Sequence, residues 1–318
     1  MMHQVAAALP DTEHAFTPYY CDGLLRVLGT LGALDFTVAG ATGAHRALTD
    51  RYLREHALPL DPRGRRGGYD LVVTCSDLVI QRNIRGTPIV LVQEGMTDPE
   101  GRAYQLVRKL KLPRWIASTS TTGLSLAYDA FCVASEGYRD LFARKGVPRD
   151  RMVVTGIPNY DDCARHLANV FPHRDYVLVA TSDLRETFRR DDRRRFFASV
   201  EGIARGRPLL FKLHPNEDHA RATAEVRARF PDALVFARGD VNAMIANCEA
   251  LITQYSTVIY TGLALGKECY SYFDLHQLRR LVPQQNGGAS AGNIAAVCAD
   301  LLARSRSRAS SAPLERAS

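Results

Sequence analysis

Lysine is nearly absent from the chain. It occurs only as Lys109, Lys111, Lys145, Lys212 and Lys267, so arginine carries almost all of the 41 basic residues. Such a bias follows genome composition as readily as it follows a ligand, and alone it names no partner. Tryptophan occurs once, and no run approaches the ~18 apolar residues of a membrane-spanning helix. There is no Asp-x-Asp triplet and no Cys-x-x-Cys pair, which argues against a metal site. No cofactor is expected either. The seven cysteines are odd in number and scattered through apolar stretches, as expected of buried free thiols in a reducing compartment. Met1 to Leu9 does not read as a basic segment followed by a hydrophobic core. The expected location is cytoplasmic, open to the inner face of the cell membrane.

What is present is ordinary globular material: 318 residues, 46% hydrophobic and 24% charged. At roughly 100–200 residues per domain, that length predicts about two domains. The net charge of +7 suits an anionic partner, whether nucleic acid, a phosphorylated metabolite or an anionic membrane. Nucleic acid is set aside, because no helix-turn-helix, RRM or KH signature and no aromatic interleaving of the basic residues is found.

Short apolar, β-branched runs alternate with longer segments of helical period, the mark of parallel α/β structure. Strands are expected at Asp70 to Cys75, Pro88 to Gln93, Ala130 to Ala134, Met152 to Thr155, Tyr176 to Thr181, Leu209 to Leu213, Ala233 to Phe236, Ala250 to Thr253 and Glu268 to Phe273. Nearly all are apolar throughout, as strands covered on both faces should be. Helices are expected at 44–56, 136–145, 191–205, 217–230, 241–247, 257–265 and 291–304. The fold class is therefore α/β, with two doubly wound, Rossmann-like domains. Their expected extents are 1–160 and 161–304, followed by a disordered, serine- and arginine-rich tail over 305–318. The opening is unusual, because Met1 to Leu9 reads as a helix where a buried strand is normal. Either the fold starts on a helix, or the first strand of the N-terminal domain lies upstream of Met1, and the second is the preferred expectation.

In open α/β sheets, ligands bind beyond the carboxyl ends of the strands, so chemistry is sought in the loops there. Gln93-Glu94-Gly95, with Asp98 further on, puts carboxylates and a flexible glycine after one strand, where an acidic turn is the plainer reading. His214-Pro215 leaves another strand just ahead of a helix start, placed to meet an anion. Gln254-Tyr255-Ser256-Thr257 offers hydroxyls and free amides, with Ser256 or Thr257 expected as a helix cap. Ser182 to Arg190 brings Arg185 and Arg189 near a strand end, within reach of a phosphate. The run Arg193-Arg194-Arg195 is expected to be a solvated helix face.

Lys212-Leu213-His214-Pro215, then Leu251 to Tyr260 with its Tyr255-Ser256-Thr257 turn, then Ala264-Leu265-Gly266-Lys267 before a strand ending Tyr272-Phe273-Asp274, resembles the C-terminal half of GT-B transferases. The resemblance is nearest to the CDP-glycerol glycerophosphotransferases and related capsule and teichoic-acid transferases, and it covers Tyr176 to Asp274. It implies a metal-independent enzyme that moves a sugar or polyol phosphate from a CDP-, CMP- or UDP-linked donor to a glycan or lipid-linked acceptor of a surface polysaccharide. Peripheral membrane contact is open. In that group the histidine-proline turn and the hydroxyl-rich turn grip the donor phosphates, which assigns Lys212, His214, Pro215, Tyr255, Ser256 and Thr257 to the donor; Ser182 and Arg185 are added to them from their place at a strand end. Gln254 stands where an aspartate is usual.

The family's histidine-glycine base is not found at Gln93-Glu94-Gly95, so Glu94 is assigned the base on chemical grounds, with Gln93, Gly95 and Asp98 on the acceptor side. Two alternatives stand beside this reading. One is a non-hydrolysing UDP-N-acetylglucosamine 2-epimerase, whose two-domain layout and late loop are similar. The other is a non-catalytic GT-B-like protein that binds a nucleotide or glycan.

Overall fold

The computed structural model describes residues 1–31, 44–186 and 190–311. Its strands are β1 (Val72–Thr74), β2 (Ile89–Val92), β3 (Ala130–Val133), β4 (Met152–Val154), β5 (Val177–Ala180), β6 (Leu209–Lys212), β7 (Leu234–Phe236), β8 (Ala250–Thr253) and β9 (Glu268–Tyr270). Each falls inside one of the runs expected from sequence. The helices are α1 (Met2–Ala7), α2 (Gly23–Thr30), α3 (Ala44–Glu55), α4 (Arg102–Leu110), α5 (Glu136–Lys145), α6 (Arg193–Ala204), α7 (His219–Arg229), α8 (Val241–Asn247), α9 (Ile259–Ala264), α10 (Leu275–Leu281) and α11 (Ser290–Ser311). Among the described residues no helix is long and apolar enough to cross a membrane.

The strands form two parallel sheets, ordered β1-β2-β3-β4 and β7-β6-β5-β8-β9. The chain divides into two compact units, Met1–Pro158 together with the segment from Ala289 on, and Asn159–Gly288. In the first unit, Val90, Val92 and Cys132 of β2 and β3 are buried against Val5 of α1 and Ile294 and Cys298 of α11. The expected domain 161–304 is thereby corrected, because its last helix supplies core to the other sheet. Asn293 fastens α11 there by donating to the Thr155 carbonyl at 3.2 Å. The expected tail is corrected too, since α11 runs on to Ser311; residues 312–318 of that expectation lie outside the described residues.

In the second unit, Val177, Val179, Phe211, Ala250 and Ile252 of the central strands pack on Phe196, Phe197 and Val200 of α6 and Val226 of α7. Gly262 lets α9 lie close on the sheet, because a Cβ there would sit 2.7 Å from Leu251 Cδ2 and 2.9 Å from Cys269 Sγ. The strand order of this sheet reverses at β5, whose neighbours are β6 and β8. Such a reversal opens a crevice at the carboxyl ends, the usual ligand position of a doubly wound fold. All seven cysteines are free, and only Cys75 is not fully buried.

Candidate functional site

The loops after β5, β6 and β8 are tied to one another. The Ser182 hydroxyl, beyond β5, accepts the backbone N–H of Tyr255, beyond β8, at 3.3 Å. Thr181, at the end of β5, accepts the backbone N–H of His214, beyond β6, at 3.0 Å. The expected histidine turn is present: the Glu217 N–H donates to the His214 carbonyl at 3.1 Å, closing the loop around Pro215. His214 Nδ1 accepts the Asn216 N–H at 3.2 Å, so the proton of the neutral ring sits on Nε2 and makes that atom the donor toward an incoming group. Asp183 Oδ2 lies 3.6 Å from Nδ1. It also takes the Asn216 side-chain amide at 2.9 Å.

Behind the histidine lies an ionic network that the sequence did not reveal. Arg193 is 7% exposed and reaches Asp191 at 3.1 Å and Glu217 at 2.7 Å. Arg185 reaches the same Asp191 oxygen at 3.1 Å and Glu225 at 2.7 Å. The hydrogen bond to Glu225 raises the Arg185 guanidinium pKa. The solvated face expected for Arg193 to Arg195 is therefore corrected at Arg193, which is buried, while Arg194 and Arg195 are exposed. Three carboxylates against two guanidiniums also give Gln254 a reason to be an amide. Its Nε2 donates to Asp191 Oδ1 at 3.1 Å, where an aspartate would set a fourth carboxylate against the third.

Three expectations on the donor side change. Lys212 is buried, and its ammonium donates to the backbone carbonyls of Leu213 at 2.8 Å and Ala237 at 3.2 Å. Burial lowers its pKa, and its charge is spent on the fold. The start of α7 is not open to an anion beside His214, because Asp218 caps it by accepting the Arg221 N–H. Neither Ser256 nor Thr257 caps α9, whose N-cap is Val258 with no side-chain bond. Tyr255 and Thr257 are exposed and Ser256 half-exposed, so this turn presents its hydroxyls outward. Pro215 is exposed as well. Arg189 lies outside the described residues.

In the first unit, the loop after β2 is largely occupied by its own structure. Gln93 is buried and bridges strand ends, donating to the Gly95 carbonyl at 2.8 Å and accepting the Ala134 N–H at 2.9 Å. This corrects its expected contact with an acceptor. Asp98 and Thr119 bind reciprocally: the Thr119 hydroxyl accepts the Asp98 N–H at 2.9 Å and donates to its carboxylate at 2.8 Å. Glu94 is exposed, and together with Cys75, His14, Tyr19 and Phe16 it lines a cavity of about 590 Å³ within this unit. Burial pushes the Cys75 thiol up to about 12, with the Glu94 charge adding to the effect. His14 and Tyr19 carry no motif, and only the cavity singles them out. Among the described residues no three His, Cys, Asp or Glu side chains gather as metal ligands would.

No protein-family model matches the sequence, and no curated protein matches it. Solved structures do resemble it. MnaA from S. aureus, solved with UDP, is 11% identical over 91% of this chain and 90% of its own, with a TM-score of 0.52. UDP-GlcNAc 2-epimerase from Neisseria meningitidis, solved with UDP-GlcNAc, is 10% identical over 83% of this chain and 90% of its own, with a TM-score of 0.50. The wall teichoic acid polymerase TagF overlaps 74% of this chain and 73% of its own at a TM-score of 0.44, too loose to argue from. At such identities the likeness is one of fold, and that fold is GT-B, two Rossmann-like domains.

Proposed function

We propose that the chain is a GT-B transferase that moves a sugar or polyol phosphate from a nucleotide-activated donor to a surface-polysaccharide acceptor. The observation that carries this reading is the hydrogen-bonded setting of the His214 ring. Its Nδ1 is taken by the Asn216 N–H, which leaves Nε2 as the donor of a loop that Thr181 ties to the end of β5, the strand at the order reversal where an anion is expected. In the proposed step an acceptor hydroxyl attacks the electrophilic carbon or phosphorus of the donor, and the nucleotide leaves with the bonding electron pair. The proton of that hydroxyl passes to a general base, a role we assign to Glu94 on its own unit's chemistry; on the donor side, within the second unit, Nε2 of His214 and the Tyr255 to Thr257 turn receive the charge growing on the leaving phosphate. No divalent ion enters the scheme.

A second reading has one specific observation in its favour. A neighbour of matching fold is a UDP-GlcNAc 2-epimerase that binds UDP-GlcNAc. An epimerase returns its sugar nucleotide with one stereocentre changed, whereas a transferase releases free nucleotide.

The deciding experiment is a thermal-shift screen of CMP, CDP, UDP and UDP-GlcNAc followed by product analysis. A ligand at about 100 times its Kd stabilises by roughly 2.7 kcal/mol, readily seen as a higher Tm. Stabilisation by CMP or CDP supports the transferase reading. Stabilisation by UDP-GlcNAc with an epimerised product replaces it by the epimerase, and binding without any turnover replaces both by a non-catalytic binding protein.

A further inference from the structure

From Gly101 to Tyr128 the chain contains no aspartate or glutamate, and two of its few lysines lie there. Within this stretch α4 buries Tyr104 and Val107 against Ala117. Its other faces are exposed, with Leu106 at 49% and Leu110 at 56%, and the following turn exposes Trp115 at 43% and Ile116 at 42%. Arg102, Arg108, Lys109 and Lys111 are exposed as well, and among the described residues none of the four is ion-paired. The lobe is rigid. Buried Asp77 binds Arg114 at 2.9 Å and accepts the backbone N–H groups of Gly123 at 3.0 Å and Ser125 at 2.9 Å.

We propose that this lobe docks on an anionic lipid bilayer. Leucines exposed singly are ordinary on a protein surface. An i,i+4 leucine pair beside unpaired cations and an exposed tryptophan is the make-up of a helix lying in a membrane interface. A protein partner fits less well, because protein interfaces are depleted in lysine. A nucleic acid would use the cations and leave the leucines and Ile116 in water. An acidic bilayer satisfies both sets: its headgroup phosphates meet the cations, while the acyl boundary receives the aliphatic side chains and the indole. The inference does not depend on the activity proposed above.

The test uses the full chain and its one tryptophan, Trp115, as the reporter. With vesicles of phosphatidylcholine containing about a third phosphatidylglycerol, Trp115 emission moves to the blue and the protein sediments with the lipid. Pure phosphatidylcholine vesicles give neither. Each basic residue near an anionic surface contributes about a fivefold factor, so Lys109→Gln/Lys111→Gln lowers the partition coefficient roughly 25-fold at unchanged Tm. Leu106→Ser/Leu110→Ser also weakens partitioning at unchanged Tm. The proposal is overturned if anionic vesicles leave Trp115 emission where it was, or if either double variant binds as the parent does. Tighter binding of a mixed-sequence oligonucleotide than of the vesicles also overturns it and assigns the face to nucleic acid.

Discussion

Glu217 accepts the backbone N–H of His214 at 2.9 Å and gives its other carboxylate oxygen to Arg193 at 2.7 Å. One buried side chain therefore sets the path of the histidine turn and neutralises the guanidinium behind it. Removing one member of a buried ionic pair leaves the other charged and unpaired, at a cost of about 3–5 kcal/mol. Glu217→Ala is expected to lower Tm by about 10 °C in a calorimetric scan. A drop of less than about 2 °C would mean that Asp191 and Glu225 hold Arg193 unaided.

The strands were legible because their signal is local: a run such as Ile89 to Val92, apolar at every position and bounded by Pro88 and Gln93, reads as buried strand without any neighbour. The helix α4 was not, because Leu106 and Leu110 face outward and blur the period that Tyr104 and Val107 would show. In the site, His214 could be found from its place after a strand. Arg193 could not, since a buried arginine and a solvated one look alike within Arg193-Arg194-Arg195, and its partner Glu217 lies far along the chain. Lys212 misled for the same reason: only the fold shows that Ala237 comes within 3.2 Å of its ammonium.

Acid should weaken the second unit through His166. Burial lowers the pKa of its imidazole below the ordinary 6.5, and the neighbouring Arg165 charge lowers it further. The unfolded chain then binds the proton at a higher pH than the folded one does, so stability falls as pH drops below about 6.5. The Tm measured at about pH 7 and about pH 5.5 should fall less in His166→Gln than in the parent. Identical falls would remove His166 from the acid response.

Excess EDTA is expected to leave donor binding unchanged, because the phosphates are assigned to Nε2 of His214 and to the turn hydroxyls. Calorimetric titration with the nucleotide that wins the thermal screen checks this. Loss of binding that magnesium restores would show that a metal shares the work.

His214→Ala removes the Nε2 donor and leaves the backbone N–H that Thr181 and Glu217 hold. A hydrogen bond to a charged group is worth ~1.5–3 kcal/mol, so nucleotide affinity should fall roughly 10–150-fold with Tm little changed. Unchanged affinity with a lower Tm would make the ring a structural element of the turn.

Glu94 is the carboxylate of its loop that reaches the cavity of the first unit, whereas Asp98 is engaged by Thr119 at 2.8 Å. A general base typically contributes ~10²–10⁴-fold to rate, while an exposed carboxylate with no such role changes rate little. Glu94→Gln keeps the shape and deletes the base, so turnover should fall by about that factor while the melting temperature and nucleotide affinity of the same sample hold. Asp98→Asn is the control: it disturbs the reciprocal pair with Thr119 and is expected to show first as a lower Tm. Turnover that survived Glu94→Gln and collapsed in Asp98→Asn at equal folded fraction would transfer the base to Asp98.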